Sequence, residues 1–287
     1  MSQPITLYQQ RDFGQKINGT FQYFGQHLRT LVPALLYIAG PFALIAGIAS
    51  GANQSRLIAS TVRLDTRLML DGTYGFAFFL TVGCSLLASL LVSLVVYAHL
   101  RLSNGQPGAP VRVGAIWDAV QSALGRSLLV SLMAVLLFLL TFPLLLLPGI
   151  YVAVVLSLAL PVTFFEEKGP SDTIARCFGL ITGKWWSTFG LIVVMALIAG
   201  VMSWTFSLPN ALVLHLRSAG SVPGYLLALT AAVSTVGQAL LSSVVSLAVA
   251  FQYFNLVDRR DGNSLDAAID SIGTSSSGPA RYGEETY

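Results

Sequence analysis

The chain has 287 residues, of which 54% are hydrophobic and only 10% charged, with a formal net charge of +3. A soluble domain carries about 25% charged residues, so this composition excludes an ordinary cytosolic protein and excludes disorder over most of the length. Mean hydropathy of +0.71 points to a polytopic membrane protein, and the sparse basic residues form no patch dense enough for nucleic acid.

Residues 1–29 read as a cytoplasmic segment. Its stretch 11–28 places Phe13, Ile17, Phe24 and Leu28 on one helical stripe, with Phe21 beside it. The membrane domain, 30–257, follows from charge-free runs, since a span needs about 20 apolar residues. Six spans are expected, near 31–50, 74–98, 127–145, 149–165, 188–206 and 225–257. The run 127–165 has 39 residues, too long for one crossing, and Pro143 with Pro148-Gly149 supplies the turn that splits it. Residues 51–73, with Arg56, Arg63 and Arg67, read as an outer loop holding a short surface helix. Residues 207–222, with Pro209, Asn210, His215 and Arg217, read as an interfacial connection. The run 222–257 would make a helix of about 54 Å, longer than the hydrocarbon core. It reads as one long tilted or projecting helix, with a hairpin near Gly237 as the alternative. Residues 258–287 read as a polar cytoplasmic tail, with disorder expected after Gly273.

Orientation follows from Lys and Arg beside the helix ends. Twelve fall on one side (among them Arg11, Lys16, Arg101, Arg126, Arg176, Lys184, Arg259 and Arg260) and four on the other. Six spans with both termini cytoplasmic satisfy that bias, and the first span is expected to stay as an uncleaved anchor.

Two further stretches resemble 11–28. Residues 113–124 align Val113, Ile116, Val120 and Leu124, and residues 171–185 align Ile174, Cys177, Phe178, Ile181 and Trp185. Each of the three precedes a pair of spans. The fold expected is therefore all-α: a membrane helix bundle of about six spans with three interfacial amphipathic helices, in a threefold repeat of weak residue identity. Trp117, Trp185 and Trp186 suit the membrane interface.

Chemistry-bearing residues are few. Cys84 and Cys177 suggest two reduced thiols. His27, His99 and His215 are scattered without a second ligand at i+3 or i+4. No catalytic, cofactor or metal pattern is visible, so none is expected and the chain reads as non-enzymatic. Polar groups inside spans are the better clue. In the last span Thr230, Ser234, Gln238, Ser242 and Ser246 recur every four residues, and Ser85, Ser89, Ser93 and Tyr97 do so in the second. The first span repeats Ala39, Ala43, Gly47 and Gly51. Such stripes let helices approach closely and exchange hydrogen bonds; the functional alternative is a polar path with Gln238 at its centre. Glu166 and Glu167 close the fourth span, either marking its exit into water or meeting a cation or substrate there.

Three segments carry a family resemblance: Arg11-Asp12-Phe13-Gly14-Gln15-Lys16-Ile17-Asn18, then Phe164-Phe165-Glu166-Glu167-Lys168-Gly169 with Lys184-Trp185-Trp186, and Ala250-Phe251-Gln252-Tyr253-Phe254-Asn255-Leu256-Val257-Asp258-Arg259-Arg260. Together they resemble a group of uncharacterised bacterial integral membrane proteins, chiefly from the Bacteroidetes. More distantly they are similar to the membrane domain fused to some glycerophosphodiester phosphodiesterases. The resemblance implies a multi-helix inner-membrane domain and transfers no site residue. The reading that follows is a membrane scaffold organising lipids, protein partners or a second copy of the chain. A channel or transporter for a small solute or lipid is the alternative. A membrane enzyme would need Glu166 or Glu167 together with His99.

Overall fold

The computed structural model describes residues 7, 9–63, 75–105, 111–141, 146–219 and 222–262. Every regular element among them is an α-helix: α1 Phe13–Ile38, α2 Gly40–Arg63, α3 Phe76–Gly105, α4 Val113–Thr141, α5 Leu146–Leu156, α6 Ala159–Glu166, α7 Pro170–Ile181, α8 Trp185–Ser218 and α9 Gly224–Asp261. Five stretches are long and apolar enough to cross a membrane: α3, α4, Pro148–Glu166 through α5 and α6, α8 as far as Arg217, and α9. Helices α1 and α2 pass the same test only together, and they meet at a bend of 57°.

Local chemistry explains the helix ends. Gln15 Oε1 accepts the backbone N–H of Asp12 at 3.0 Å, which satisfies one of the free donors where α1 starts. Gly169 caps α7, with Pro170 in the first turn where its missing N–H costs nothing, and Asp172 complements the positive helix end. Helix α9 stops at Gly262, whose φ of 73° suits glycine.

Several boundaries differ from the sequence reading. The first run is not one straight span: Ile38 ends α1, and α2 starts at Gly40 with Pro41 in its first turn. A proline there cannot donate to the carbonyl of Tyr37, so the ladder breaks and the axis turns. The expected interfacial connection at 207–222 is helical to Ser218, because α8 continues through Pro209. One lost hydrogen bond is offset where neighbouring helices hold both flanks. The segment 51–63 belongs to α2 rather than to a loop. The last run is one helix of 38 residues, as the first of its two readings has it, with no hairpin at Gly237. The rest of the outer loop (64–74, with Arg67), the turn at 142–145 and the tail from 263 lie outside the described residues. Of the three amphipathic stretches, 171–181 is a separate helix, while the other two run without a break into α1 and α4.

Helix α9 is the axis of the bundle, packing on α1, α2, α3, α6, α7 and α8. Its apolar stretch is mostly buried. By contrast α4 and α8 present Leu129, Leu132, Leu140, Leu197, Val201 and Leu208 outward, the faces that lipid would cover. The tightest seam joins α2 to α9. A Cβ built on Gly47 would lie 2.4 Å from Ala232 Cα, and one on Gly51 2.4 Å from Ala228 Cα, so only glycine permits this approach. Gly237 serves α8 similarly, since the Phe206 ring occupies the space a side chain would need.

Candidate functional site

The polar stripe of α9 is distributed over its seams. Thr230 Oγ1 donates to Asn210 Oδ1 at 3.2 Å, and Ser234, which is buried, donates to the Phe206 carbonyl at 2.6 Å, both on α8. Gln238 Nε2 donates to Ser207 Oγ at 3.2 Å from an exposed position at the α8–α9 seam. Ser242 bonds the Ala239 carbonyl within its own helix, and Ser246 Oγ meets Ser93 Oγ of α3 at 3.1 Å. Each hydroxyl or amide thus closes on a neighbouring element or on its own helix.

The ends of α3, α6 and α9 meet the starts of α1, α4, α7 and α8 at one end of the bundle, the basic end. All three segments that carry the resemblance converge there. Phe165 stacks on Tyr253 with ring centroids 5.6 Å apart, and Phe254 lies 4.8 Å away. The Arg11 guanidinium sits 5.0 Å above the Phe251 ring, and Asn255 Nδ2 donates to the Arg11 carbonyl at 3.2 Å.

Glu166 and Glu167 anchor this end. Glu166 accepts from Arg176 Nε at 3.0 and 3.1 Å and from the Tyr253 hydroxyl at 3.1 Å, and Lys168 Nζ stands 2.7 Å away. Arg176 also pairs with Asp261 at the end of α9. Helices α6, α7 and α9 are thereby tied through one carboxylate. Glu167 occupies the left-handed cap of α6 at φ 54°, and Arg126 Nη1 holds its carbonyl at 2.8 Å. Its half-exposed carboxylate faces Arg101 at 3.3 Å and Arg126 at 3.8 Å.

Two constellations were not legible from spacing. In the first, Lys16 Nζ donates to Gln252 Oε1 at 2.7 Å, and Gln252 Nε2 donates to Thr188 Oγ1 at 2.8 Å, joining α1, α9 and α8. Lys16 lies in the amphipathic half of α1, ahead of the apolar run. Burial, with Arg259 and Lys184 nearby, pulls its ammonium down to about 8. In the second, the Tyr23 hydroxyl lies 2.7 Å from His99 Nδ1 and 3.1 Å from Ser103 Oγ, while Thr30 Oγ1 lies 2.9 Å from His99 Nε2. The His27 ring stands edge-on to His99 at 5.1 Å. Only the Tyr23–His27 step of four residues could have hinted at this cluster.

His99 has both nitrogens engaged by Tyr23 and Thr30, whereas Glu166 is engaged by Arg176, Lys168 and Tyr253. Glu166, Glu167 and His99 thus have different partners. No group of three potential metal ligands gathers among the described residues. Cys177 is fully buried, and burial with Glu166 nearby pushes its thiol up to about 12. Maleimide should leave Cys177 unmodified in the folded protein and label it on denaturation, as intact-mass measurement reads; rapid native labelling at Cys177 would contradict the buried α7 face.

A family model described as a domain of unknown function (DUF7847) matches residues 15–256. No curated protein and no solved structure matches the chain.

Proposed function

The chain belongs to the DUF7847 family, and from that premise we propose that it is a non-enzymatic organiser in the bacterial inner membrane, with both termini cytoplasmic. Its long apolar faces would contact lipids, and its basic end would present a rigid platform to lipids or protein partners. The observation that carries this reading is the closure of the α9 stripe: Thr230, Ser234 and Gln238 bond to α8 and Ser246 to α3. A transport path needs side chains that stay available to a passing solute. Here Thr230, Ser234, Gln238 and Ser246 bond to neighbouring helices, and Ser242 bonds to its own.

The platform reading draws on how the basic end is built. Phe164, Tyr253, Phe254 and Leu158 are fully buried there, and the Glu166 network joins α6, α7 and α9 across it. Such packing suits a surface that holds its shape while partners come and go. The lipid part rests on the outward leucines and valines of α4 and α8, too extensive an apolar face to meet water.

Flux assays in proteoliposomes test the reading. The purified chain should raise the permeability to small polar solutes no further than protein-free vesicles, and Gln238→Leu should behave as the parent while keeping its fold. Solute flux that Gln238→Leu abolishes would replace the organiser with a transporter.

A further inference from the structure

The basic end holds two kinds of charged neighbourhood. Around Glu166 and Glu167 every cation named faces an acid: Arg101, Arg126, Lys168 and Arg176. On the other flank, the last turn of α9 faces the turn between α7 and α8. A recess of about 460 Å³ opens there, lined by Gln10, Thr182, Lys184, Arg259 and Arg260 and, among the described residues, by no carboxylate. The recess is set against protein on its inner side. Arg260 lays its guanidinium on Gly179, where an added Cβ would come within 2.8 Å of Nη1, so this arginine lies flat along α7. Behind it Lys16 is buried, with its hydrogen bond to Gln252 fixing the ammonium in place. Arg259 and Lys184 both act against the charge of Lys16, and Asp12 acts for it. Cations gathered this closely repel one another unless an anion sits between them.

We propose that this recess binds a phosphate group. Arg259 and Arg260 supply planar guanidinium donors, Lys184 a mobile ammonium, and Gln10 and Thr182 neutral donors at the rim. Lys184 leads directly into Trp185 and Trp186, and Trp186 is exposed, which suits the depth of lipid headgroups. The phosphate can therefore come from a lipid headgroup or from solution; the chemistry of recognition is the same. The inference goes beyond the organising role, and it stands even if the chain proves to carry a solute, since flux and phosphate binding are read separately.

Two probes test it on the full chain. Inorganic phosphate is titrated calorimetrically into protein in mild detergent. In parallel, protein is released from nanodiscs of equal parts phosphatidylglycerol and phosphatidylcholine and weighed by native mass spectrometry. Saturable phosphate binding identifies a soluble source, and selective retention of phosphatidylglycerol identifies a headgroup; either supports the site. The Lys184→Gln, Arg259→Gln, Arg260→Gln variant should weaken whichever interaction is seen by about tenfold or more. Lys184→Gln alone, at an exposed position that leaves Arg260 on Gly179, should weaken it in the same direction with the unfolding temperature unchanged. Arg29→Gln, outside the recess, should bind as the parent. Binding of neither probe, or equal binding by parent and the Lys184→Gln variant, would overturn the proposal.

Discussion

Gly51→Ala lowers the unfolding temperature of the protein, whereas Gly83→Ala leaves it unchanged or raises it. Both glycines are helical, and alanine is the better helix former by about 1 kcal/mol. The difference lies in what the new methyl group meets. At Gly51 it would stand 2.4 Å from Ala228 Cα and 2.6 Å from the Leu227 carbonyl oxygen, whereas at Gly83 nothing lies within 4 Å. The Gly51 neighbours are backbone, so α2 and α9 must separate, and overpacking of this kind costs about 1–3 kcal/mol or more. Because α9 is the axis on which six other helices pack, the displacement propagates through the bundle. Thermal unfolding followed by tryptophan fluorescence in detergent reads the pair of variants directly. Equal behaviour would mean that the α2–α9 seam is looser than the glycines require.

The second large effect is expected at Glu166. Glu166→Gln keeps the shape of the side chain and removes its charge, leaving Lys168 unpaired and Arg176 dependent on Asp261 alone. A fully buried ion pair costs about 3–5 kcal/mol when one partner is removed. Glu166 keeps some contact with water, so a loss of about 2–3 kcal/mol is expected. Glu167→Gln provides the contrast. Its carboxylate is half exposed, and exposed pairs contribute about 0–1 kcal/mol. The two substitutions, adjacent in sequence and identical in chemistry, should differ plainly in denaturation midpoint. If they match, the Glu166 network does not hold the basic end together.

These contrasts show what a sequence can carry. Charge-free runs revealed the long helices because hydropathy acts locally, and the Ala39, Ala43, Gly47, Gly51 step announced a close seam before its partner was known. The bend at Ala39–Gly40 is not legible in that pattern, because hydropathy does not register a missing N–H at Pro41. The end of α8 lies later than the sequence pattern suggests, for the opposite reason. Pro209 reads as a stop, yet contacts such as Asn210 to Thr230 and Gln54 hold the helix beyond it. The basic end was the least legible. Lys16 and Gln252 are 236 positions apart, and Tyr23 and His99 76 apart; only the path of α1 around α9 and α3 brings them together. The three segments that carry the resemblance meet there, and nothing in their sequence gives a reason for their meeting.

The closed stripe is tested most directly by water accessibility along α9. Single cysteines at Ser234, Gln238, Ser242 and Ser246, and one at Arg259, would be placed in a Cys84→Ser, Cys177→Ser background and treated in native membranes with a membrane-impermeant thiol reagent. If the stripe is glue between helices, Arg259→Cys is labelled and the four stripe positions stay unlabelled from both sides of the membrane. Labelling that runs from one stripe position to the next would reveal a continuous aqueous path and contradict the organiser.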